Sequence, residues 1–444
     1  MQTPAAFRTV AIMVATISAA LPAMAPAGAV PQQLEDYLAG RARRSDFSGV
    51  VIVAKGGSTL LDRGYGLADY ESGVPNDDTR IYRIGSLSKP FTAVAVMKLQ
   101  EEGKLKIDDP LCGYLSDCPR AWSPVTLRHL LSHTSGIDDY FSEVAAGPLS
   151  NMRPLIDRAI QAHRESPLLS PAGEKYRYSN FGFLLLGYVC EVAAHQPWET
   201  VLRTRIFDPA GMTATAYDDV FAIVPGRARG YVPSSGGLRN IVYKDHGAFA
   251  AGGLRSTARD LLAWQQALFS EKILQRDSLD VMFTPVRDNY ALGWQVMKIL
   301  GRPVIDHSGG IDGFASHLAF YPGEGLVIIV LSNVEGEPAK TTGCDLARIA
   351  FGEGTPVLTP IPAVEPPPAV LDRFTGTFGD GEVTREIVRD GQTLYYVRNG
   401  SRTPLTALAP GRFVMNRTTF LTFEAGGFAI SDGCGTLVTT MIRR

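Results

Sequence analysis

The feature that most narrows the fold is where the β-prone runs lie. Residues 47–54 and 59–65 form two such runs around Gly56-Gly57. Four more follow only after a long gap, at 291–297, 304–307, 314–321 and 326–332. Alternating or continuous apolar runs between turn formers read as strands. Residues 32–40 read as a short amphipathic helix, and 111–281 are mostly helical patches broken by Pro and Gly. The late β group reads as an antiparallel meander, closed by a helical pattern over 339–350. Strands at both ends with helices between them predict one sheet in which the two ends meet. The expected class is α/β, an antiparallel sheet flanked by helices, with the helical block as a second lobe.

The flanking segments differ in texture. Residues 1–8 carry one positive charge and no acid, residues 9–25 are almost entirely apolar and small, and Ala27-Gly28-Ala29 fits the small-x-small rule of signal peptidase. Residues 1–29 are therefore predicted to be a signal peptide, with an uncleaved anchor as the alternative. No later apolar run reaches the ~18 residues of a spanning helix, so no stable membrane span is expected after cleavage, and the protein is expected to be periplasmic or secreted. Residues 353–370, with Pro366-Pro367-Pro368, read as a stiff linker. They separate a main domain at 30–352 from a small all-β domain at 371–444. There, Asp390-Gly391 and Asn399-Gly400 signal hairpins, and Phe413, Phe420, Leu421 and Phe423 are candidates for a core. It contains no catalytic constellation.

Composition excludes several classes. Charged residues are 20% and apolar residues 45% of the 444, ordinary globular usage. The net charge of -2 offers no basic excess for a run of phosphates, so nucleic acid is not an expected partner. In an oxidising compartment the five cysteines bear on pairing. Cys112 and Cys118 flank a turn-rich loop that a disulfide can close. Cys190 and Cys344 sit in apolar helical patterns, Cys190 reading as a buried thiol, and Cys434 lies in the C-terminal segment. The odd count leaves at least one unpaired within the chain. No Cys/His cluster has zinc-ligand spacing, so no metal site is predicted.

Three constellations carry chemistry. Ser86-Leu87-Ser88-Lys89-Pro90 runs from a strand into a helix. Pro90 fits the first helical turn, where its missing N–H is not needed. Ser86 then lies near the helix N-terminus with Lys89 on the same face. A serine hydroxyl needs a base to take its proton, and a lysine serves if its pKa is lowered. Alone, this spacing reads sooner as a helix cap beside a solvated lysine. The second is Tyr178-Ser179-Asn180, ahead of an apolar helix over 181–192. A lysine ammonium nearby would favour the phenolate of Tyr178, and Asn180 offers a donor and an acceptor to a substrate amide; capping by Ser179 or Asn180 is the plainer alternative. The third is His307-Ser308-Gly309-Gly310 at the end of a predicted strand, where glycines permit close approach of a ligand; a tight turn with a surface histidine is its alternative. The three together, in this order and these contexts, outweigh the separate alternatives.

With these motifs the sequence resembles the serine β-lactamase and penicillin-binding protein superfamily, in its class C β-lactamase and D-alanyl-D-alanine carboxypeptidase branch. Leu130-Leu131-Ser132-His133-Thr134-Ser135-Gly136, Gly211-Met212, the stretch from Ala251 to Asp260, and Leu292-Gly293-Trp294 also match. The resemblance covers roughly residues 35–350 and not the C-terminal β domain, a place where lipocalin-like domains occur in the family. It implies a β-lactamase/transpeptidase-like fold and an acyl-enzyme on Ser86, with Lys89 and Tyr178 sharing the proton transfers and the true base open between them. It further implies an oxyanion hole from the N–H groups of Ser86 and Gly310, substrate binding by Asn180, His307, Ser308 and Gly309, and no cofactor or metal. It gives His133 a packing role beside the site.

One departure bears on substrate. Strict β-lactamases carry Lys-Thr-Gly where this chain has His307-Ser308-Gly309. A histidine of ordinary pKa is largely neutral at neutral pH and gives a substrate carboxylate no fixed cation. The expected function is an exported serine hydrolase acting on an amide, an ester or a D-amino-acid peptide, with a peptidoglycan fragment or a β-lactam among the candidate substrates. The alternatives are an esterase of the same family and a non-catalytic protein that binds penicillin or cell-wall peptides.

Overall fold

The structure is a computed structural model. It describes residues 29–141, 152–234, 237–243, 248–336, 338–356, 365–379, 384–398, 401–415, 419–435 and 437–444. Residues 1–28 of the expected signal peptide, residues 357–364 of the linker and the Asn399-Gly400 turn lie outside the described residues.

The two ends of the main region do meet in one sheet. Its strands are β1 (Gly49–Lys55), β2 (Ser58–Tyr65), β3 (Gln295–Ile299), β4 (Arg302–Ile311), β5 (Phe314–Tyr321) and β6 (Leu326–Ser332), in the order β3-β4-β5-β6-β1-β2. Every neighbouring pair is antiparallel, and β1 joins β6 from Gly49 opposite Ser332 to Lys55 opposite Leu326. Helices cover both faces, which is why β1 and β6 read as unbroken apolar runs. Val51 and Val53 pack with α1 (Ala29–Arg43) and with Leu346 and Ile349 of a late helix. Val50 and Ile52 pack toward α2 (Ser88–Glu101), α3 (Asn180–Ala194) and α4 (Ala258–Phe269) in the larger core. The late helix, α5 (Ala339–Ala350), has the bounds its sequence pattern predicts. Among the described residues no helix is long and apolar enough to cross a membrane.

Two strand boundaries differ from expectation. The run at 291–297 begins its strand only at Gln295, because Gly293 takes a left-handed conformation (φ 79°) and lies so close to α2 that a methyl on it would fall 2.5 Å from Ala93 Cβ. Conversely, β4 does not stop at His307 but runs through both glycines to Ile311.

The C-terminal region is a closed barrel of eight antiparallel strands: β7 (Gly376–Gly379), β8 (Thr384–Asp390), β9 (Thr393–Arg398), β10 (Ser401–Ala409), β11 (Arg412–Met415), β12 (Thr419–Glu424), β13 (Gly427–Asp432) and β14 (Leu437–Arg443). Each strand pairs with the next, and β7 closes on β14. Closure removes the exposed edges that a small sheet would otherwise present. Asp390 lies opposite Thr393, the hairpin expected around Gly391. Phe378, Leu394, Phe413, Leu421, Phe428 and Met441 fill the interior, with Phe423 packed against them. Phe420, expected in this core, instead faces outward under the Arg412 guanidinium, because neighbours on a strand point to opposite faces and Leu421 takes the inner one.

Cys112 and Cys118 form the small-loop disulfide, and Cys190 is a buried free thiol. A second disulfide, Cys344–Cys434, ties α5 to the barrel. There Gly433 lies against Thr341 so closely that a methyl would fall 2.0 Å from its Oγ1.

Candidate active site

Ser86 sits in a single 3₁₀ turn, Gly85–Leu87, that runs straight into α2. The approach to the turn is fixed on several sides. The short strand Tyr82–Arg83 pairs with Leu254–Ser256, and the buried Arg83 meets the equally buried Asp218 at 3.0 Å. Ser88 donates to Gly85 O (2.8 Å) and accepts from the Leu254 N–H (3.0 Å), while Ser316 of β5 donates to Ile84 O (2.8 Å). Gly85 is left-handed (φ 52°), and a methyl there would lie 2.7 Å from Gly310 O and 2.9 Å from Gly310 N. Glycine is thus required at 85, and it brings Gly310 alongside Ser86. Gly309 is needed for the same approach, since its methyl would lie 2.0 Å from Ile84 O.

Lys89 is fully buried one helical turn on. Its Nζ donates to Ser86 Oγ (3.0 Å), Asn180 Oδ1 (2.7 Å) and Ala251 O (2.8 Å). Burial lowers its pKa from the usual lysine range to about 7, and the Asp139 charge opposes that fall only in part. Asp139 is held by the Phe181 N–H at 2.8 Å. Tyr178 has its ring 4.7 Å from Lys89 Nζ and shares a hydrogen bond with Ser86. One edge of Tyr178, 36% of its surface, stays open to the cleft. The expected phenolate is not what this setting favours. Burial, the largest influence, pushes the phenol above its ordinary value, and the bond to Ser86 offsets this only partly. Ser179 caps α3 by accepting from the Gly182 N–H, which leaves the Asn180 amide free to meet Lys89.

The third motif is placed differently from the first two. His307 is buried, with Nε2 3.1 Å from the Tyr290 hydroxyl and Nδ1 2.7 Å from Ser308 O. Burial, with the Lys89 charge second, lowers its pKa to about 3, so the ring is neutral. Ser308 points to the other side of the sheet, where its Oγ is 2.9 Å from His317 Nδ1, beneath Gly343 of α5. Both side chains expected to bind substrate are therefore engaged inside the protein. What this segment presents to the cleft is backbone. β3 pairs with β4 only as far as Gln295 opposite Asp306, so the outer edge of 307–311 has no strand partner among the described residues.

Ser86, Lys89, Tyr178 and Asn180 thus meet directly, whereas His307 bonds Tyr290, whose ring packs on His133 and Tyr176. The motif reading missed Ser88, Ser316, the Ala251 carbonyl and Tyr290. For Ser88 a signal existed, a small hydroxyl on an otherwise apolar helix face. A carbonyl acceptor such as Ala251 leaves none.

Comparison with known proteins bears on the family and the fold. The Beta-lactamase family model matches residues 33–351, from within α1 to just past α5. A penicillin-binding protein of Bacillus subtilis strain 168 is 30% identical over 320 residues, 66% of this chain and 69% of the relative. The teichoic acid D-alanine hydrolase of Staphylococcus aureus is 27% identical over 314 residues, 69% of this chain and 74% of the relative. The solved octameric penicillin-binding protein homologue from Pyrococcus abyssi superposes with a TM-score of 0.68 at 24% identity, covering 93% of this chain and 98% of that one, and so shares the fold. The chain belongs to the Beta-lactamase family of serine hydrolases.

Proposed function

We propose that this chain is an exported serine hydrolase that cleaves an ester or amide, its natural substrate carrying a D-amino acid, through an acyl-enzyme on Ser86. The observation that carries the reading is the buried Lys89 amine 3.0 Å from Ser86 Oγ with a pKa of about 7. Near neutral pH a large share of Lys89 is the free base, whereas the Tyr178 phenol keeps its proton. We therefore assign Lys89 as the base. It takes the Ser86 proton as Oγ attacks the carbonyl carbon. The N–H groups of Ser86 and Gly310 receive the developing oxyanion. Collapse expels the alcohol or amine, which takes a proton from Tyr178, and Lys89 resupplies Tyr178. Water, deprotonated by Lys89, then attacks the acyl carbon; the C–Oγ bond breaks, and Lys89 returns the proton to Ser86 Oγ, releasing the acid and the free enzyme.

The substrate class follows from the departure in the third motif. A neutral, internally bonded His307 gives a substrate carboxylate no cation, so β-lactams are poorly served. An ester or amide with no carboxylate next to the scissile bond loses nothing by that. The relatedness to a teichoic acid D-alanine hydrolase supports D-alanyl esters as the first compounds to test. The two disulfides support export, because such bonds persist in oxidising compartments.

The test is hydrolysis of a D-alanyl ester, with intact-protein mass after incubation with the ester and with a penicillin. Ser86→Ala is expected to lose the acyl adduct and fall to the uncatalysed rate. Lys89→Ala is expected to lose at least about a thousandfold in kcat. Near-normal turnover in either variant would overturn the mechanism. A long-lived Ser86 adduct with penicillin and no ester turnover would move the substrate to cell-wall peptides.

A further inference from the structure

His133 is not used by the mechanism above, yet it is fully enclosed against it. It is a non-glycine residue in the left-handed region (φ 57°), a conformation that persists only where the surroundings enforce it. Its carbonyl oxygen accepts the Arg177 N–H at 2.8 Å, and its Nδ1 accepts the Ser179 N–H at 3.1 Å. One residue therefore holds the backbone on both sides of Tyr178. Its ring also lies against the Tyr178 ring, centroids 4.3 Å apart, and is closed in by Tyr290, Phe183 and Tyr176 at 4.7, 5.1 and 5.9 Å.

We propose that His133 is a positioning residue for the reaction at Ser86: its carbonyl and Nδ1 clasp the chain on either side of Tyr178 and aim the phenol at the Ser86 hydroxyl. This rests on the reading of Ser86, Lys89 and Tyr178 given above. Because Nδ1 accepts, the ring proton is on Nε2, which is buried and has no hydrogen-bond partner among the described residues. A protonated ring would turn Nδ1 into a donor facing the Ser179 N–H and release one half of the clasp. Burial, then the Lys89 charge, holds the pKa of His133 well below its usual value and prevents this. The charged and titratable groups around it are Lys89 on α2, Tyr176 and Tyr178 ahead of α3, Tyr290 ahead of β3 and His307 on β4. The Asp139 carboxylate lies beyond the clasped residue, 3.4 Å from Ser179 Oγ, and burial remains the largest influence on the ring.

The test compares His133→Leu, which fills space without an acceptor, with His133→Asn, whose Oδ1 can take the Ser179 N–H. His133→Leu is expected to lower kcat about tenfold to a hundredfold while KM changes less than about threefold, because a small misplacement of a reacting group costs rate rather than binding. His133→Asn is expected to return kcat to within about threefold of the parent. In the parent, kcat/KM should rise through pH about 7 as Lys89 loses its proton, and that limb should stay in place in His133→Asn. Leucine and asparagine variants of equal rate, or a limb that moves in His133→Asn, would overturn the positioning role. If His133→Leu does not fold, His133→Asn decides alone, and a loss beyond about tenfold overturns the proposal. Ser86→Ala keeps the two readings apart: if it retains turnover the mechanism itself has failed, and if it is inactive while His133→Leu is normal only this role has.

Discussion

The α/β body and the C-terminal barrel bury different things. The barrel interior is almost entirely hydrocarbon and aromatic ring, and ion pairs such as Arg389–Asp372 lie at its surface. The body buries Lys89, the pair Arg83–Asp218, the Asp306 carboxylate that meets a half-buried Lys340, and His133, His307 and His317. Buried ions and unpaired polar atoms cost stability that apolar residues of similar size would not. A chain that retains so many in one region concentrates its chemistry there. Among its described residues the closed barrel buries no charged side chain, and its interior is apolar packing. The difference also separates two kinds of sensitivity: the body depends on exact approach of backbone at the site, the barrel on volume filled.

The sharpest way to break that contrast is a single methyl group. Gly309→Ala would put Cβ 2.0 Å from Ile84 O, which no side-chain rotation relieves, so the turn bearing Ser86 must move. A loss of about a hundredfold or more in kcat is expected. At Gly310 a methyl meets nothing within 4 Å, and Gly310→Ala should stay within about tenfold of the parent, although the two glycines are neighbours. Equal losses at both would mean that approach at 309 is not what places Ser86.

This pair of glycines also marks how far the sequence could be read. Ser86 and Lys89 were legible because helix geometry alone puts residues three apart on one face, and the meeting of the chain ends was legible because β1 and β6 are apolar on both faces. The facing of the third motif was not. Two glycines carry no side chain to reveal which side of a strand is inner, so Ser308 could not be assigned to His317 and the back of the sheet. The same parity problem misplaced Phe420 by one residue. The site residues brought from afar, Tyr290 and the Ala251 carbonyl, owe their places to packing that no local pattern records. His133 stood inside a matched motif, but its clasp on Tyr178 depends on a backbone conformation invisible in its neighbours.

The next effect is on stability, and acid should act on the body selectively. All seven histidines and all four tryptophans lie before residue 308 or, for His317, on β5, so none is in the barrel. His307 titrates near pH 3 in the fold, and His133 and His317 also lie well below their usual value, chiefly through burial. Unfolded histidines take up protons near pH 6.5. Between these limits the unfolded chain binds protons that the native one does not. The stability these neutral rings contribute is therefore complete above pH 6.5 and lost as pH falls toward 3. The melting temperature followed by tryptophan fluorescence is expected to drop by several degrees between pH 7 and pH 4.5, at roughly 2–4 °C per kcal/mol. A tryptophan transition that does not move over that range would contradict neutral burial of these three rings.

The smallest effect on turnover, and the most informative about how the two regions are joined, belongs to Cys344–Cys434. This bond closes 90 residues of sequence and fixes the barrel on the outer side of α5. In a chain-entropy account, closing a loop that long removes about 4–5 kcal/mol of freedom from the unfolded state, with measured effects often smaller. The double variant Cys344→Ser, Cys434→Ser should lower thermal stability while kcat stays within about twofold, because the hydrogen bonds that join Ser86, Lys89, Tyr178 and Asn180 run among themselves and to Ala251, and, among the described residues, not to α5 or the barrel. The route by which this expectation can fail is specific. Lys340, on the same helix as Cys344, pairs at 3.2 Å with the buried Asp306, which directly precedes His307 on β4. If freeing the barrel lets α5 shift, Asp306 loses its counter-ion and the edge of β4 beside Ser86 feels it. A fall in kcat with an unchanged tryptophan transition would then show that the barrel steadies the site through α5, and Lys340→Met should reproduce the loss with the disulfide intact.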